Sequence, residues 1–244
     1  MNWHPKRCVV VGANGGIGAA FVQHLLEQNS VETIYCTSRS GSSAINHDKI
    51  IDVILNYENP ETISTAATQI KQTGPLDLII VATGLLHDDE GFGPEKSLRQ
   101  LDFDNLIRSY QINAIGPALV AQSFLPLMSK QNKSVFAALS ARVGSISDNN
   151  IGGWYGYRAA KAGLNQLLRT ASIEHARRWP ESVVMGLHPG TVDTGLSKPF
   201  QRNVADGKLF TAAYATSEML DVISNVTPRD TGKIFAYDGK EVPA

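Results

Sequence analysis

Cysteine is scarce: the 244 residues include only Cys8 and Cys36. Each sits inside an apolar stretch, so two buried, reduced thiols are expected. A disulfide framework or a thiolate metal site would need more ligands at closer spacing. An excess of either charge is missing too. Lys and Arg number 22 against 23 Asp and Glu, for a formal charge of −1, and the basic residues are scattered. Such a chain lacks the electrostatic footprint of a nucleic-acid or anionic-membrane binder, and neither partner is expected. No apolar run approaches the roughly 18 residues needed to span a bilayer. The opening MNWHPKRCVVVGANGG reaches glycines before a signal-peptide core can form. A soluble, cytoplasmic protein is the expectation. His4, His24, His47, His87, His175 and His188 show no HExxH or paired-ligand spacing, so no metal is expected. Repeats and linkers are absent as well, and a chain of this length, 43% hydrophobic, can bury one sizeable core.

What is present is alternation. Short apolar runs at 7–11, 31–37, 49–53, 76–82, 134–140, 182–188 and 233–237 read as strands. Most are continuously apolar and rich in β-branched residues, as in a parallel sheet covered on both faces. Helical segments lie between them, at 17–28, 60–72, 98–128, 155–178 and 211–226. The expected fold is therefore α/β: a single doubly wound, Rossmann-type domain over 1–244, with about seven parallel strands and helices on both faces. Residues 190–211 form the longest stretch without periodicity and are a candidate substrate lid, with Leu196, Phe200 and Phe210 either its apolar face or simple anchors.

The first strand runs into VGANGGIGAAF, where Gly12, Gly16 and Gly18 surround Asn14 and Ile17. Glycines there allow a sharp turn and close backbone approach to a pyrophosphate, and the next helix adds the positive end of its dipole. A strand before and a helix after are the context a dinucleotide site requires. The second strand ends in CTSRS, without the acid that usually binds an NAD ribose. Ser38 and Arg39 there could instead bind a 2′-phosphate, which favours NADP(H) over NAD(H).

The stretch WYGYRAAK carries Tyr155, Tyr157 and Lys161. Residues four apart share a helix face, so Tyr157 and Lys161 point together. Tyr155 lies about 240° around the helix from Lys161 and faces elsewhere. An adjacent ammonium is expected to lower the phenol's pKa from its ordinary value near 10 and fit Tyr157 for proton transfer to a carbonyl oxygen.

These motifs occur in order with an Asn113-x-x-Gly116 helix, a fifth strand ending in Ser140, and Pro189-Gly190 after the sixth strand. Over nearly its full length the sequence resembles the short-chain dehydrogenase/reductase family. SARVGSISDNNIGGWYGYRAAKAGLN and TGKIFAYDGKEVPA are similar to the subgroup of C-factor signalling proteins and sniffer-type carbonyl reductases.

The resemblance implies an oxidoreductase that moves a hydride between NADP(H) and a small carbonyl or alcohol substrate. Tyr157 takes the role of general acid/base, Lys161 the roles of pKa-lowering and ribose-binding residue, and Asn113 that of water holder. Pro117 has no N–H, which frees the Asn113 carbonyl for that water. Asp52-Val53 match the adenine contact, Gly84 the close approach beside adenosine, and Thr191 and Thr194 the nicotinamide and phosphate contacts. The family's substrate-binding serine falls at Ala141 in register with Gly144, which leaves Ser140, Ser145 or neither in that role, with Ser140 preferred. Val81-Ala82-Thr83-Gly84 replaces the usual asparagine pair and puts its sheet-stabilising bonds in doubt. His87 and Trp154 are candidates for the substrate mouth or for packing. A homodimer or homotetramer is implied, through the helices carrying Asn113 and Tyr157. The alternative function is a nucleotide-binding signalling or sensor protein with incidental turnover.

Overall fold

Seven of the strands hydrogen-bond side by side, all parallel. A computed structural model describes residues 3–244. The strands are β1 (Arg7–Val11), β2 (Thr33–Ser38), β3 (Ile50–Ile54), β4 (Leu78–Val81), β5 (Ser134–Leu139) and β6 (Ser182–His188). Two short strands follow, β7 (Thr191–Val192) and β8 (Leu209–Phe210), and then β9 (Ile234–Ala236). The main sheet has the order β3-β2-β1-β4-β5-β6-β9. Its direction of progression reverses between β1 and β4, which opens a crevice at the carboxyl ends of those two strands.

The continuous apolar runs are explained by two cores, one on each face. Successive strand residues point to opposite sides. Val9, Val11, Ile79, Val81, Phe136 and Val184 face one core, while Cys8, Val10, Leu78, Ile80, Val135 and Val183 face the other. The first core is closed by α2 (Glu61–Lys71), α4 (Gly116–Phe124) and α5 (Tyr155–Ala176), through Ile70, Phe124 and Leu164. The second is closed by α1 (Gly16–Leu26) and α6 (Ala212–Asn225), through Phe21, Leu25 and Met219. Both cysteines are buried free thiols. No helix among the described residues is long and apolar enough to cross a membrane.

Two local departures from the expected pattern shape the site. The helix expected over 98–128 is broken into α3 (Phe103–Tyr110), a π turn at Gln111–Ile115, and α4. Gly116 N–H reaches back to the carbonyl of Gln111, five residues earlier. Pro117 is the physical reason, since without an N–H it cannot bond the Asn113 carbonyl four residues back. The 190–211 stretch is also not structureless. β7 and β8 pair in parallel at its base, Asp193 N–H donates to Phe210 O at 2.8 Å, and a 3-10 helix covers Lys198–Asn203.

Candidate active site

Val11 ends at the crevice, and the chain turns there through Gly12 with φ 84°. Gly12 and Ala13 N–H both donate to Thr37 O at 3.1 Å, fastening the turn to β2. A Cβ on Gly18 would sit 2.1 Å from Gly12 O, so the helix approaches the turn only because that side chain is absent. The N-cap of α1 is Gly15, with no capping side chain. The first-turn N–H groups therefore stay open to an anion. A cleft of about 560 Å³ runs from this turn, past Ser38, Arg39 and Ser40, to Thr83, Gly84, Leu85 and Ile112. Shape, open helix N-terminus and cationic rim fit a dinucleotide.

The predicted cofactor residues separate into groups. Gly12, Asn14, Ser38, Arg39 and Gly84 line the cleft, while Gly16, Ile17 and Gly18 form the first turn of α1 behind it. Asn14 acts partly through its neighbours: its side chain donates to Ser42 O at 2.7 Å and accepts from Ala44 N at 3.0 Å. Together with Ser38 Oγ, which accepts from Ser42 N at 3.1 Å, it folds the loop after β2 beside exposed Arg39. Asp52 and Val53 are a correction. Expected at the end of the third strand, they lie within β3, short of its end at Ile54, and Asp52 accepts from Ser43 N at 2.8 Å. Leu55, Asn56 and Tyr57 line the cleft in their place. Thr191 belongs to β7, and Thr194 meets the glycine turn, where a Cβ on Gly16 would be 2.7 Å from its methyl group.

Behind Gly84, at the far end of the cleft, two predicted residues converge. A Cβ there would be 3.6 Å from Asn113 Oδ1 and 4.0 Å from Lys161 Nζ. Asn113 is fully buried and clamps Leu85 in both directions, donating to its carbonyl at 2.8 Å and accepting from its N–H at 3.0 Å. Lys161 donates to Leu139 O at 2.8 Å, pinning α5 to the end of β5. Its Nζ lies 5.7 Å from the ring centre of Tyr157, one turn earlier on the same face. Gly144 permits this packing, since a Cβ there would be 2.8 Å from Lys161 Cβ.

The protonation of this pair corrects an expectation. Burial lowers Lys161 from 10.5 to about 7, so it is only partly charged at neutral pH. Burial also pushes the Tyr157 phenol up rather than down. A partly neutral amine at that distance cannot outweigh the desolvation of a phenolate.

The serines are both engaged within the fold. Ser140 Oγ donates to Asn165 Oδ1 at 2.5 Å. Ser145 Oγ donates to Ala244 O at 3.3 Å and accepts from Asp148 N at 3.1 Å. Ala141, between them, is half-buried in an extended conformation.

The 190–211 segment packs in two separate places. Phe200 packs edge-on against Trp154 at 5.0 Å and His87 at 5.7 Å between ring centres. His87 Nε2 and Gly195 O are 2.9 Å apart, and Leu196 lies against Gly84. Trp154 in turn meets the Tyr157 ring edge-on at 6.3 Å. Phe210 does different work, packing on Tyr237 at 4.6 Å and filling the space above Gly190.

Several contributors carry no sequence signal of their own. Tyr57 hydrogen-bonds Thr83 at 2.9 Å and supports the strand end where the asparagine pair is missing. Gly116 makes room for its ring, which a Cβ would approach to 2.3 Å. Arg108 pairs with Asp88 at 2.5 Å beside the cleft. Glu95 and Arg158 bind the start of α5. All are long-range contacts except those of Arg158, and no local spacing announces them.

Comparison with known proteins agrees with this architecture. The family model described as short chain dehydrogenase matches residues 6–205. C-signal of Myxococcus xanthus is 34% identical over 172 residues, covering 70% of this chain and 94% of that protein. The NADPH-bound carbonyl reductase from chicken fatty liver has a TM-score of 0.86 at 26% identity, covering 98% of this chain and 94% of that one. The carbonyl reductase Sniffer of D. melanogaster shares the fold, with a TM-score of 0.83 at 21% identity and all of both chains covered. The chain belongs to the short-chain dehydrogenase family of oxidoreductases.

Proposed function

We propose that this oxidoreductase is an NADPH-dependent carbonyl reductase in which Tyr157 donates the proton. The observation that carries the reading is Tyr157 one helical turn before buried Lys161, whose Nζ lies beside Gly84 in the wall of a cleft that begins in the glycine turn. When bound, the nicotinamide supplies hydride to the carbonyl carbon. The oxygen needs a proton at the same time, and a phenol kept protonated by burial supplies it in the reductive direction. Lys161, near neutrality in its titration and, like Asn113, beside Gly84, can return a proton to the phenolate. The Asn113 carbonyl, freed by Pro117, is the proposed seat of the water that links this relay to solvent; an ordinary hydrogen-bonded turn there would exclude it. With Ser140 and Ser145 engaged elsewhere, Tyr157 binds the substrate oxygen without a serine partner.

Exposed Arg39 beside Ser38 and Ser40 supports NADP(H) over NAD(H). Trp154, Phe200 and His87 support an apolar substrate mouth. Exposed Phe103 and Ile107 on α3, with Leu167 and Ile173 on α5, support self-association, which light scattering checks directly: a monomer at high concentration overturns it. Consumption of NADPH with a panel of aldehydes, ketones and quinones tests the main reading. The second reading, a nucleotide-binding signalling protein, is favoured by the likeness to C-signal and by Ala141. Tight NADPH binding with no turnover on any carbonyl would establish it instead.

A further inference from the structure

The catalytic helix begins in an unusual way. Gly152, Gly153 and Trp154 are successive left-handed residues, with φ of 70°, 67° and 54°. Trp154 is the only non-glycine residue with positive φ among the described residues. It also occupies the N-cap of α5, where it offers no side-chain cap. Glycine would take this conformation without strain, and Ser or Asp would cap the helix. An aromatic residue does neither.

The missing cap comes from a distant loop. Glu95 lies between β4 and α3 and is 6% exposed. Its carboxylate accepts from Gly156 N at 3.0 Å, and its own carbonyl accepts from Trp154 N at 2.5 Å. A negative charge at the first turn suits the helix dipole. Gly156 gives the carboxylate room, since a Cβ there would be 2.9 Å from Glu95 Oε1. Arg158 holds the preceding turn, donating to Gly153 O at 2.9 Å and Gly152 O at 3.2 Å.

We infer that Glu95 is a positioning residue for Tyr157 and Trp154: by capping α5 from outside, it frees the N-cap for an indole that walls the substrate mouth. The fixed first turn sets both the phenol, one residue beyond Gly156, and the Trp154 ring that faces Phe200. A local cap would have used the position that the indole needs. This inference rests on the assignment of Tyr157 as proton donor.

Steady-state kinetics of Glu95→Ala and Glu95→Gln, with NADPH and a carbonyl that the wild type reduces, test it. Glu95→Ala should lower kcat on the order of tenfold or more, because small misplacements of a reacting group are costly. The KM for NADPH should stay within about twofold, since the glycine turn and Arg39 are untouched. Glu95→Gln keeps an acceptor for Gly156 N–H and should recover most of kcat. Trp154→Gly, which relieves the backbone, should raise the carbonyl KM while keeping the melting temperature. Hydrogen exchange of the 154–161 segment provides a readout without turnover, and Glu95→Ala should accelerate it. Wild-type kcat in Glu95→Ala, equal losses in the Ala and Gln variants, or unchanged exchange would overturn the inference. If the wild type reduces no carbonyl, the reductase reading fails by itself, and the exchange result still decides whether Glu95 fixes the helix.

Discussion

Replacing Lys161 with methionine should destroy activity and at the same time stabilise the protein. Lys161 is 2% exposed, and burial alone lowers its ammonium from 10.5 to about 7. Each tenfold loss of proton affinity is worth about 1.4 kcal/mol, so keeping this lysine inside costs about 5 kcal/mol at and below neutral pH. Lys161→Met removes that cost, and the flexible thioether fills similar space. The variant loses the bond to Leu139 O, worth about 2 kcal/mol, which leaves a net gain of about 3 kcal/mol. For a domain of this size that gain corresponds to roughly 6–12 °C in melting temperature. The sign with pH follows from the depressed folded value. Between about 7 and 10.5 the unfolded chain binds the extra proton, so wild-type stability from this group rises with pH. Thermal melts of both proteins from about pH 6 to about pH 9.5 should show the gap widest at the acid end and closing toward the alkaline end. A variant less stable than wild type throughout, or a gap independent of pH, would refute the argument that lysine burial is a cost kept for chemistry.

Other consequences are accessible to simpler assays. Arg39→Glu should raise the KM for NADPH by about tenfold or more and leave that for NADH unchanged or lower, because a carboxylate repels a 2′-phosphate; equal effects on both would place Arg39 outside the site. Ser140→Ala and Ser145→Ala should each cost less than about tenfold in kcat, well short of the roughly 10²-fold loss of a true oxyanion donor. Ala141→Ser, which places a hydroxyl at the register position, should raise kcat; a large loss in Ser140→Ala with no gain here would restore Ser140 to the role.

Local periodicity makes the sheet and the tyrosine–lysine pair legible. Strands buried on both faces are apolar at every residue, and Val9 and Val10 enter opposite cores. Tyr157 and Lys161 need only helical spacing to share a face. Legibility ends where tertiary structure decides. The run IIDVI does not reveal where the chain leaves the sheet, so the motif alone puts Asp52 at a strand end that lies further on, near Leu55. The direction in which the Tyr157 pKa moves depends on burial, which no spacing encodes. Pro117 announces a freed carbonyl, but not that the helix answers with a π turn. Glu95 reaches α5 across 61 residues, and nothing in PEKSL marks it as a cap.

Proton delivery by Tyr157, one turn from the lysine beside Gly84, is the step on which the proposed reduction depends. Comparing the kcat of Tyr157→Phe with that of wild type, alongside NADPH affinity by fluorescence titration, tests it most directly. The expected result is a loss of about 10²–10⁴-fold in kcat with NADPH affinity unchanged. Turnover within a fewfold of wild type would contradict it.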